Sequence, residues 1–224
     1  MTSSLAGWIP VILVLAALAA VYLPFGNYMA RVFQSDHHTV VERGLYRVIG
    51  VNGDGRQNWM RYATSVFGFS LVSLLFLYLL QRVQQWLPLA HGVDAIDPDQ
   101  AWNTAVSFVT NTNWQSYSGE QAMSQLTQMA GLAVQNFVSA AVGISVAVAL
   151  MRGLANKSGD GLIGNFWVDV TRTIFRILLP VAAVVAVLLL TQGVIQNFAA
   201  PHTVETFTGG SQTCLLYTSP SPRD

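Results

Sequence analysis

Four long stretches of this 224-residue chain contain no charged side chain, and they constrain its fold more than any other feature. They cover residues 1–30, 62–81, 121–151 and 177–201. A helix needs about 20 predominantly apolar residues to cross the hydrocarbon core of a bilayer. The pattern therefore predicts an all-α integral membrane protein that crosses the lipid bilayer four times. We place the spanning helices near residues 8–28, 61–85, 121–151 and 168–197.

Composition excludes several other classes of protein. Charged residues make up 10% of the chain, whereas soluble domains carry about 25%. The formal net charge is zero, which argues against a nucleic-acid partner because binding to phosphates needs a basic surface. Cys214 is the one cysteine, so neither a disulfide framework nor a zinc cluster is expected.

The first charge-free stretch has two interpretations. One is a cleaved signal peptide, which the alanine-rich run at residues 16–20 suits. A signal peptide, however, carries a positively charged region before its apolar core, and no Lys or Arg precedes this one. We therefore predict that residues 1–30 form a retained N-terminal transmembrane helix.

The basic residues predict the orientation in the membrane. Five arginines lie between the first two spanning helices, and four basic residues lie between the third helix and the charge-free part of the fourth. The connection between the second and third helices has only Arg82. Since basic loops stay in the cytoplasm, we predict a cytoplasmic loop at 31–60, a second one after 151, and an N-terminus outside the cell. Within the first loop, residues 40–49 have the spacing of a short amphipathic helix.

The segment between the second and third spanning helices has the pattern of a pore. Asp97 and Pro98 are typical of a helix start, and the apolar run at 101–109 is too short to cross the membrane. A short helix between two spanning helices indicates a re-entrant segment. Non-helical backbone at membrane depth persists only where protein buries it or where it lines an aqueous path.

The polar segment that follows is the candidate filter segment, Thr110–Asn113. Cation filters replace the hydration shell of the ion with backbone carbonyls, and such a backbone needs residues at positive φ, which Asn tolerates. We predict that Asn111 and Asn113 adopt this conformation, that the Thr hydroxyls add oxygens, and that a cation binds at Asn111, Thr112 and Asn113. The absence of a carboxylate from residues 110–119 favours a monovalent ion. The alternative is an ordinary outer loop rich in turn-forming residues.

The third spanning helix carries a polar stripe. At 100° per residue its members fall within about 80° of one another. The stripe consists of Gln121, Gln125, Gln128, Gln135 and Ser139. Because polar side chains are costly against lipid, we predict that the stripe faces the bundle interior or an aqueous path, as a pore-facing stripe would. Hydrogen bonding between helices is the alternative.

A weak internal repeat relates the second and fourth spanning helices at an offset of 108 residues. The matching pairs are Trp59 with Trp167, Ser65 with Thr173, Val66 with Ile174, Phe67 with Phe175, and Gln84 with Gln192. The fourth helix would then open a second pore repeat. We divide the chain into a first pore repeat at 61–151 and a second cytoplasmic loop with the first helix of a second repeat at 152–213.

Two runs of sequence resemble a known family. The run NTAVSFVTNTNWQSYSGE at 103–120 and the run QMAGLAVQNF at 128–137 are similar to the first filter region of the bacterial potassium-transporting ATPase A subunit family, KdpA. The resemblance extends from about Trp8 to about Thr213. It implies a fold of four helix–pore-helix–helix repeats, as in the potassium transporter superfamily.

The resemblance also implies a function. Family members bind extracellular potassium in their filter and work in the bacterial plasma (inner) membrane with the P-type ATPase subunit KdpB and the accessory subunits KdpC and KdpF. ATP hydrolysis belongs to KdpB, and this chain has no phosphorylation motif or ATP site of its own. Carried onto this sequence, the first filter maps to Thr110, Asn111, Thr112 and Asn113, and the resemblance implies that potassium binds at Asn111, Thr112 and Asn113. Gln115 matches a position that influences potassium affinity.

The chain departs from the family in length. A full member continues through three more filter segments, so we expect a fragment truncated after the first repeat, which cannot encircle an ion alone. The Ser- and Pro-rich stretch at 214–224 is interpreted as an artefactual tail. Two other functions stay open from the residues: a passive or ion-coupled potassium channel or symporter subunit, and a non-transporting membrane scaffold.

Overall fold

The computed structural model describes residues 3–155, 159–194, 198, 202–205 and 211–214. Its chain separates into two compact units, residues 1–51 and 52–224. Four helices in the described part are long and apolar enough to cross a membrane. They are Gly7–Gln34, Trp59–Trp86, Thr127–Ala155 and Phe166–Thr191. The predicted all-α membrane fold is therefore confirmed.

The first unit contains two helices, α1 (Ser3–Gln34) and α2 (Val40–Ile49). The hydroxyl of Thr39 accepts a hydrogen bond from the N–H of Glu42, and the Glu42 carboxylate accepts one from the N–H of Thr39. This reciprocal capping fixes the start of α2. Gly50, with φ of 74°, ends it in the left-handed conformation that glycine adopts without strain. The short helix predicted at 40–49 is confirmed.

The second unit begins with β1 and contains the remaining elements. They are β1 (Gln57–Asn58), α3 (Trp59–Val83) with a 3₁₀ turn at Gln84–Trp86, α4 (Pro98–Val109), α5 (Gly119–Ala122), a π-helical turn at Thr127–Ala133, α6 (Val134–Ala155), β2 (Leu162–Gly164), α7 (Phe166–Arg172), a π-helical turn at Thr173–Leu178, α8 (Leu179–Thr191), β3 (His202–Glu205) and β4 (Ser211–Cys214). β1 pairs antiparallel with β2, and β3 with β4.

The short helix α4 packs between the elements that flank it. Asp97 precedes its first residue, Pro98, as the sequence predicts, although the Asp97 carboxylate makes no capping hydrogen bond. Two alanines of α4 and two apolar residues from neighbouring segments are fully buried in one cluster. They are Leu77, Ala101, Ala105 and Met123. Burial on this scale holds the C-terminal end of α4 in a fixed position.

The third spanning helix starts later than predicted. Instead of one helix from residue 121, the chain forms α5, breaks at Met123, and resumes helix after Ser124. The buried amide of Gln84 explains the break, because it donates to Ala122 O at 2.9 Å and accepts from Ser124 N at 3.0 Å. A side chain 40 residues away thus replaces the hydrogen bonds that a continuous helix would make.

The fourth spanning helix ends earlier than predicted, at Thr191 rather than near residue 197. Gly193, with φ of 84°, follows it, and the N–H of Val194 donates to Leu189 O, which closes the helix end. A π-helical turn precedes Pro180. Proline cannot donate to the preceding turn and crowds its carbonyls, and a wide turn accommodates both effects.

The two loops that the sequence assigns to the same side of the membrane contact each other. Gln57 pairs with Gly164 through β1 and β2. The side chain of Asn165 donates to the carbonyls of Asn52 and Gly55, at 3.0 and 2.7 Å. Residues 52–58 and 159–165 therefore lie on one side of the spanning helices of the second unit.

A buried ion pair links the helices beside these loops. Arg152 donates to both carboxylate oxygens of Asp169, at 2.7 and 3.0 Å. Tyr62 donates to the same carboxylate at 3.2 Å and lies 2.8 Å from Ser145 O. The side chain of Asp169 is only 2% exposed. Charged groups in membrane helices are kept where they are paired in this way.

Candidate ion-binding segment

The candidate filter segment folds back over the last turn of α4. The N–H groups of Thr112 and Asn113 both donate to the carbonyl oxygen of Ser107, at 3.0 and 3.2 Å. A carbonyl in the last turn of a helix has no partner within the helix, so these bonds satisfy it. The helix end and the segment after it thus form one hydrogen-bonded turn.

The two asparagines of the segment adopt the predicted conformation. Asn111 has φ of 59° and Asn113 has φ of 55°. Left-handed dihedrals strain most residues but are accessible to Asn, whose short polar side chain bonds locally. Here the amide of Asn113 donates to Asn111 Oδ1 at 3.2 Å. The two asparagines that alternate with threonines therefore have the positive φ that the sequence predicts.

Ser107 also determines where the carbonyls of the segment point. In a planar trans peptide, an N–H and the C=O of the preceding residue point in opposite directions. Because the N–H groups of Thr112 and Asn113 point at Ser107 O, the carbonyls of Asn111 and Thr112 point away from α4. Two successive carbonyl oxygens thus face the same way, which is the arrangement that a carbonyl filter requires.

The backbone oxygens of residues 110–113 form a row of open carbonyls. Within the described residues, no hydrogen bond ends on the carbonyls of Thr110, Asn111, Thr112 or Asn113. The carbonyl of Trp114 differs, because it accepts from the hydroxyl of Ser107 at 2.9 Å. The side chains from 110 to 116 are exposed. The row of open carbonyls therefore ends where the chain turns back to α4.

The threonine hydroxyls face the helix end. Thr110 Oγ1 donates to Val106 O at 2.9 Å, and Thr112 Oγ1 donates to Ser107 O at 3.1 Å. The sequence predicts these hydroxyls as additional oxygens around the ion. In the structure their protons cap the last carbonyls of α4. A hydroxyl that donates its proton keeps its lone pairs, so the role of these oxygens stays a prediction.

The similarity to known proteins covers nearly the whole chain. A family model described as KdpA, potassium-transporting ATPase A subunit, matches residues 12–221. The chain belongs to the KdpA family. The matched range includes most of the stretch at 214–224, whose interpretation as an artefact stays a prediction; the structure describes only Cys214 of it.

Curated relatives agree with the family model. The relative from Kineococcus radiotolerans is 57% identical over 210 residues, 94% of this chain and 38% of its own length. The relatives from Streptomyces coelicolor and Rhodococcus opacus are each 55% identical, over 95% and 96% of this chain and 38% of theirs. All three are named potassium-transporting ATPase potassium-binding subunit. The chain thus spans about two fifths of the length of these KdpA relatives.

The polar stripe of this KdpA-family chain is divided by the break before Ser124. Gln121 is exposed on α5 and does not share a helix with the others. Gln128 donates to the carbonyls of Gly119 and Met123, both at 3.1 Å. The prediction of one continuous stripe is wrong at this end, because the helical angle of 100° per residue does not apply across a break and a π-helical turn.

The remaining members of the stripe differ in what they contact. Gln125 is buried, and its Oε1 lies 3.4 Å from His91 Nε2. Gln135 and Ser139 are buried on α6. The hydroxyl of Ser139 lies 3.3 Å from Asn111 Oδ1 and 3.3 Å from Asn136 O, so the two oxygens share its one proton. One stripe residue therefore reaches the filter segment directly, and it does so through the side chain that sits at positive φ.

Gln115 lies just beyond the row of open carbonyls. It is exposed, and the carbonyl of its neighbour Trp114 is held against α4 by Ser107. Its position places a polar side chain beside the candidate filter segment without a described hydrogen bond to it.

Sequence reasoning missed the buried residues that support the segment. Ser107 and Gln84 are fully buried, and so is Gln81, which donates to Ala101 O at 3.2 Å. Gln84 donates to Asp94 O as well, at 2.6 Å. A signal was present, because the glutamines at the end of this predominantly apolar helix must find polar partners when they are buried.

Proposed function

We propose that this chain is part of a potassium-binding and translocating subunit of an ATP-driven, high-affinity bacterial potassium importer. Extracellular potassium binds to the backbone carbonyls of the candidate filter segment. The observation that carries the proposal is the pair of bonds from Thr112 and Asn113 to Ser107 O, because these bonds turn two successive carbonyls away from α4.

The ion chemistry follows from the oxygens available. A potassium ion that sheds its water needs neutral oxygens in place of the hydration shell. The carbonyls of Asn111, Thr112 and Asn113 accept no hydrogen bond from the described part of the chain. Residues 110–119 contain no carboxylate, so a divalent ion lacks the ligands it prefers. One segment contributes one side of such a site. The other sides come from further repeats of the kind that the KdpA family contains.

The proposed partners are KdpB, KdpC and KdpF in the bacterial plasma membrane. KdpB hydrolyses ATP, and this chain supplies the ion site. The N-terminus lies outside the cell, and the paired loops at 52–58 and 159–165 lie in the cytoplasm. Their contact through β1 and β2 supports a common side. The nine basic residues of the wider stretches around them, 31–61 and 152–176, favour the cytoplasmic side.

A chimera tests the proposal. Residues 1–194 of this chain, which end after α8, replace the matching part of the Kineococcus radiotolerans subunit, and that organism's KdpB, KdpC and KdpF are produced with it. Potassium uptake is measured in bacteria that lack their own importers, with ATP supplied or depleted. We expect uptake that saturates at low potassium concentration and stops without ATP. Uptake that continues without ATP would instead indicate a channel or symporter.

Gln115→Arg in the chimera tests the location of the site. A fixed cation beside the filter repels potassium, so we expect the KM for potassium to rise by at least about ten-fold, which corresponds to about 1.4 kcal/mol of binding free energy. Gln85→Arg is the matched control, because Gln85 is an exposed glutamine on the neighbouring 3₁₀ turn. An unchanged KM for Gln115→Arg, or an equal rise in both variants, contradicts the assignment.

A further inference from the structure

Ser107 is fully buried. It forms more hydrogen bonds with residues 110–114 than any other described residue of α4. Its carbonyl accepts from two N–H groups and from the Thr112 hydroxyl, and its own hydroxyl donates to the carbonyl of Trp114 at 2.9 Å. Only the last of these bonds depends on the side chain. The identity of residue 107 therefore acts on the segment through Trp114.

The bond to Trp114 limits the row of open carbonyls. With its oxygen held against α4, the peptide after Trp114 cannot turn that carbonyl to the side that the carbonyls of Asn111 and Thr112 face. Without the hydroxyl, the Trp114 carbonyl loses its described partner and becomes free to rotate towards other donors or an ion. The number and spacing of oxygens offered to the ion would then vary, and ions of different radius respond differently to such variation.

We propose that Ser107 is a positioning residue whose hydroxyl determines the ion selectivity of the segment Thr110–Asn113. This inference rests on the proposed potassium-binding function. It concerns the boundary of the carbonyl row, whereas the function concerns the row itself. Ser107 does not touch the ion and acts by fixing the Trp114 carbonyl.

The test compares serine variants in the chimera produced with its ATPase partners. Ser107→Ala removes the hydroxyl and keeps every backbone bond. Ser145→Ala is the matched control, because Ser145 is also fully buried and its hydroxyl also donates to a backbone carbonyl, that of Ala141 at 2.7 Å. Uptake of potassium and of rubidium is measured separately, so that KM and kcat are obtained for each ion.

For Ser107→Ala we expect the KM for potassium to rise about five- to ten-fold, as the loss of one buried hydrogen bond predicts. The ratio of the rubidium KM to the potassium KM should move towards one, with kcat within about two-fold of the parent. Ser107→Cys, which keeps a weak donor, should lie between the two. Ser145→Ala should match the parent in both KM values.

Two results overturn the inference. One is an unchanged ratio of KM values in Ser107→Ala, with or without a lower kcat, and the other is the same change in Ser145→Ala. If Ser107→Ala does not assemble, the ratio in Ser107→Cys decides in the same way. Failure of the proposed function is distinguishable, because the parent chimera would then take up neither ion, or Gln115→Arg would leave the potassium KM unchanged.

Discussion

The hydroxyl of Ser139 on α6 lies 3.3 Å from Oδ1 of Asn111, the first positive-φ residue of the candidate filter segment. The third spanning helix is therefore tied to the turn after α4 by a side chain rather than by the backbone. The same Oδ1 accepts from the amide of Asn113. One side-chain oxygen thus contacts both the third spanning helix and the second asparagine of the segment.

Removing this contact should weaken ion binding. Ser139→Ala removes a hydrogen bond worth about 1 kcal/mol, so the KM for potassium should rise about five-fold. Potassium uptake by the chimera is the measurement. Ser145→Ala, nearer the C-terminal end of the same helix, serves as the control. A potassium KM equal to that of the parent would mean that the contact does not hold Asn111 in place.

The positive φ of Asn111 makes a second prediction. Glycine adopts this conformation freely, whereas a β-branched residue is strained there by about 1–3 kcal/mol. Asn111→Gly should therefore keep more potassium affinity than Asn111→Val, although both variants lose the two side-chain bonds. Isothermal titration of the purified complex with potassium compares them. Equal affinities for the two variants would contradict a role for the backbone conformation.

The buried amide of Gln84 makes a prediction about stability. Gln84→Leu leaves Asp94 O, Ala122 O and Ser124 N without this partner. Each unsatisfied buried group costs about 1–3 kcal/mol, so the melting temperature of the detergent-solubilised complex should fall. Gln85→Leu, at the exposed neighbouring position, should leave it nearly unchanged. The opposite order would show that Gln84 does not hold the break between α5 and the third spanning helix.

The ion pair of Arg152 and Asp169 makes a fourth prediction. Asp169→Asn leaves a partly buried guanidinium without its carboxylate, and breaking a buried pair costs about 3–5 kcal/mol. The double variant Asp169→Asn with Arg152→Met should recover part of that loss, because it removes the guanidinium that donates to both carboxylate oxygens. Thermal unfolding of the four combinations forms a double-mutant cycle. A coupling energy near zero would contradict the importance of the pair.

Much of this fold was predictable because its causes are local. Charge-free stretches placed all four spanning helices, and Asp97 with Pro98 placed the start of α4. The positive φ of Asn111 and Asn113 followed from the conformations that asparagine tolerates. Each of these inferences depends on residues within about one helical turn or one bilayer thickness.

The parts that were missed depend on distant residues. The break before Ser124 exists because the Gln84 side chain replaces helical hydrogen bonds from 40 residues away. Once the helix breaks, the position of Gln121 on a helical wheel has no meaning. The role of Ser107 depends on where the chain turns after α4, and the spacing of apolar residues along a helix does not encode that turn.

We propose that carbonyls of the candidate filter segment bind potassium, and a potassium-like ion tests this directly. Thallium(I) has the charge of potassium and a similar radius, and it scatters X-rays anomalously. Crystals of the chimeric complex grown with thallium should therefore show an anomalous peak in contact with the carbonyl oxygens of Asn111 and Thr112, and excess potassium should abolish it. Anomalous peaks elsewhere in the protein and none at these two oxygens would contradict ion binding by the candidate filter segment.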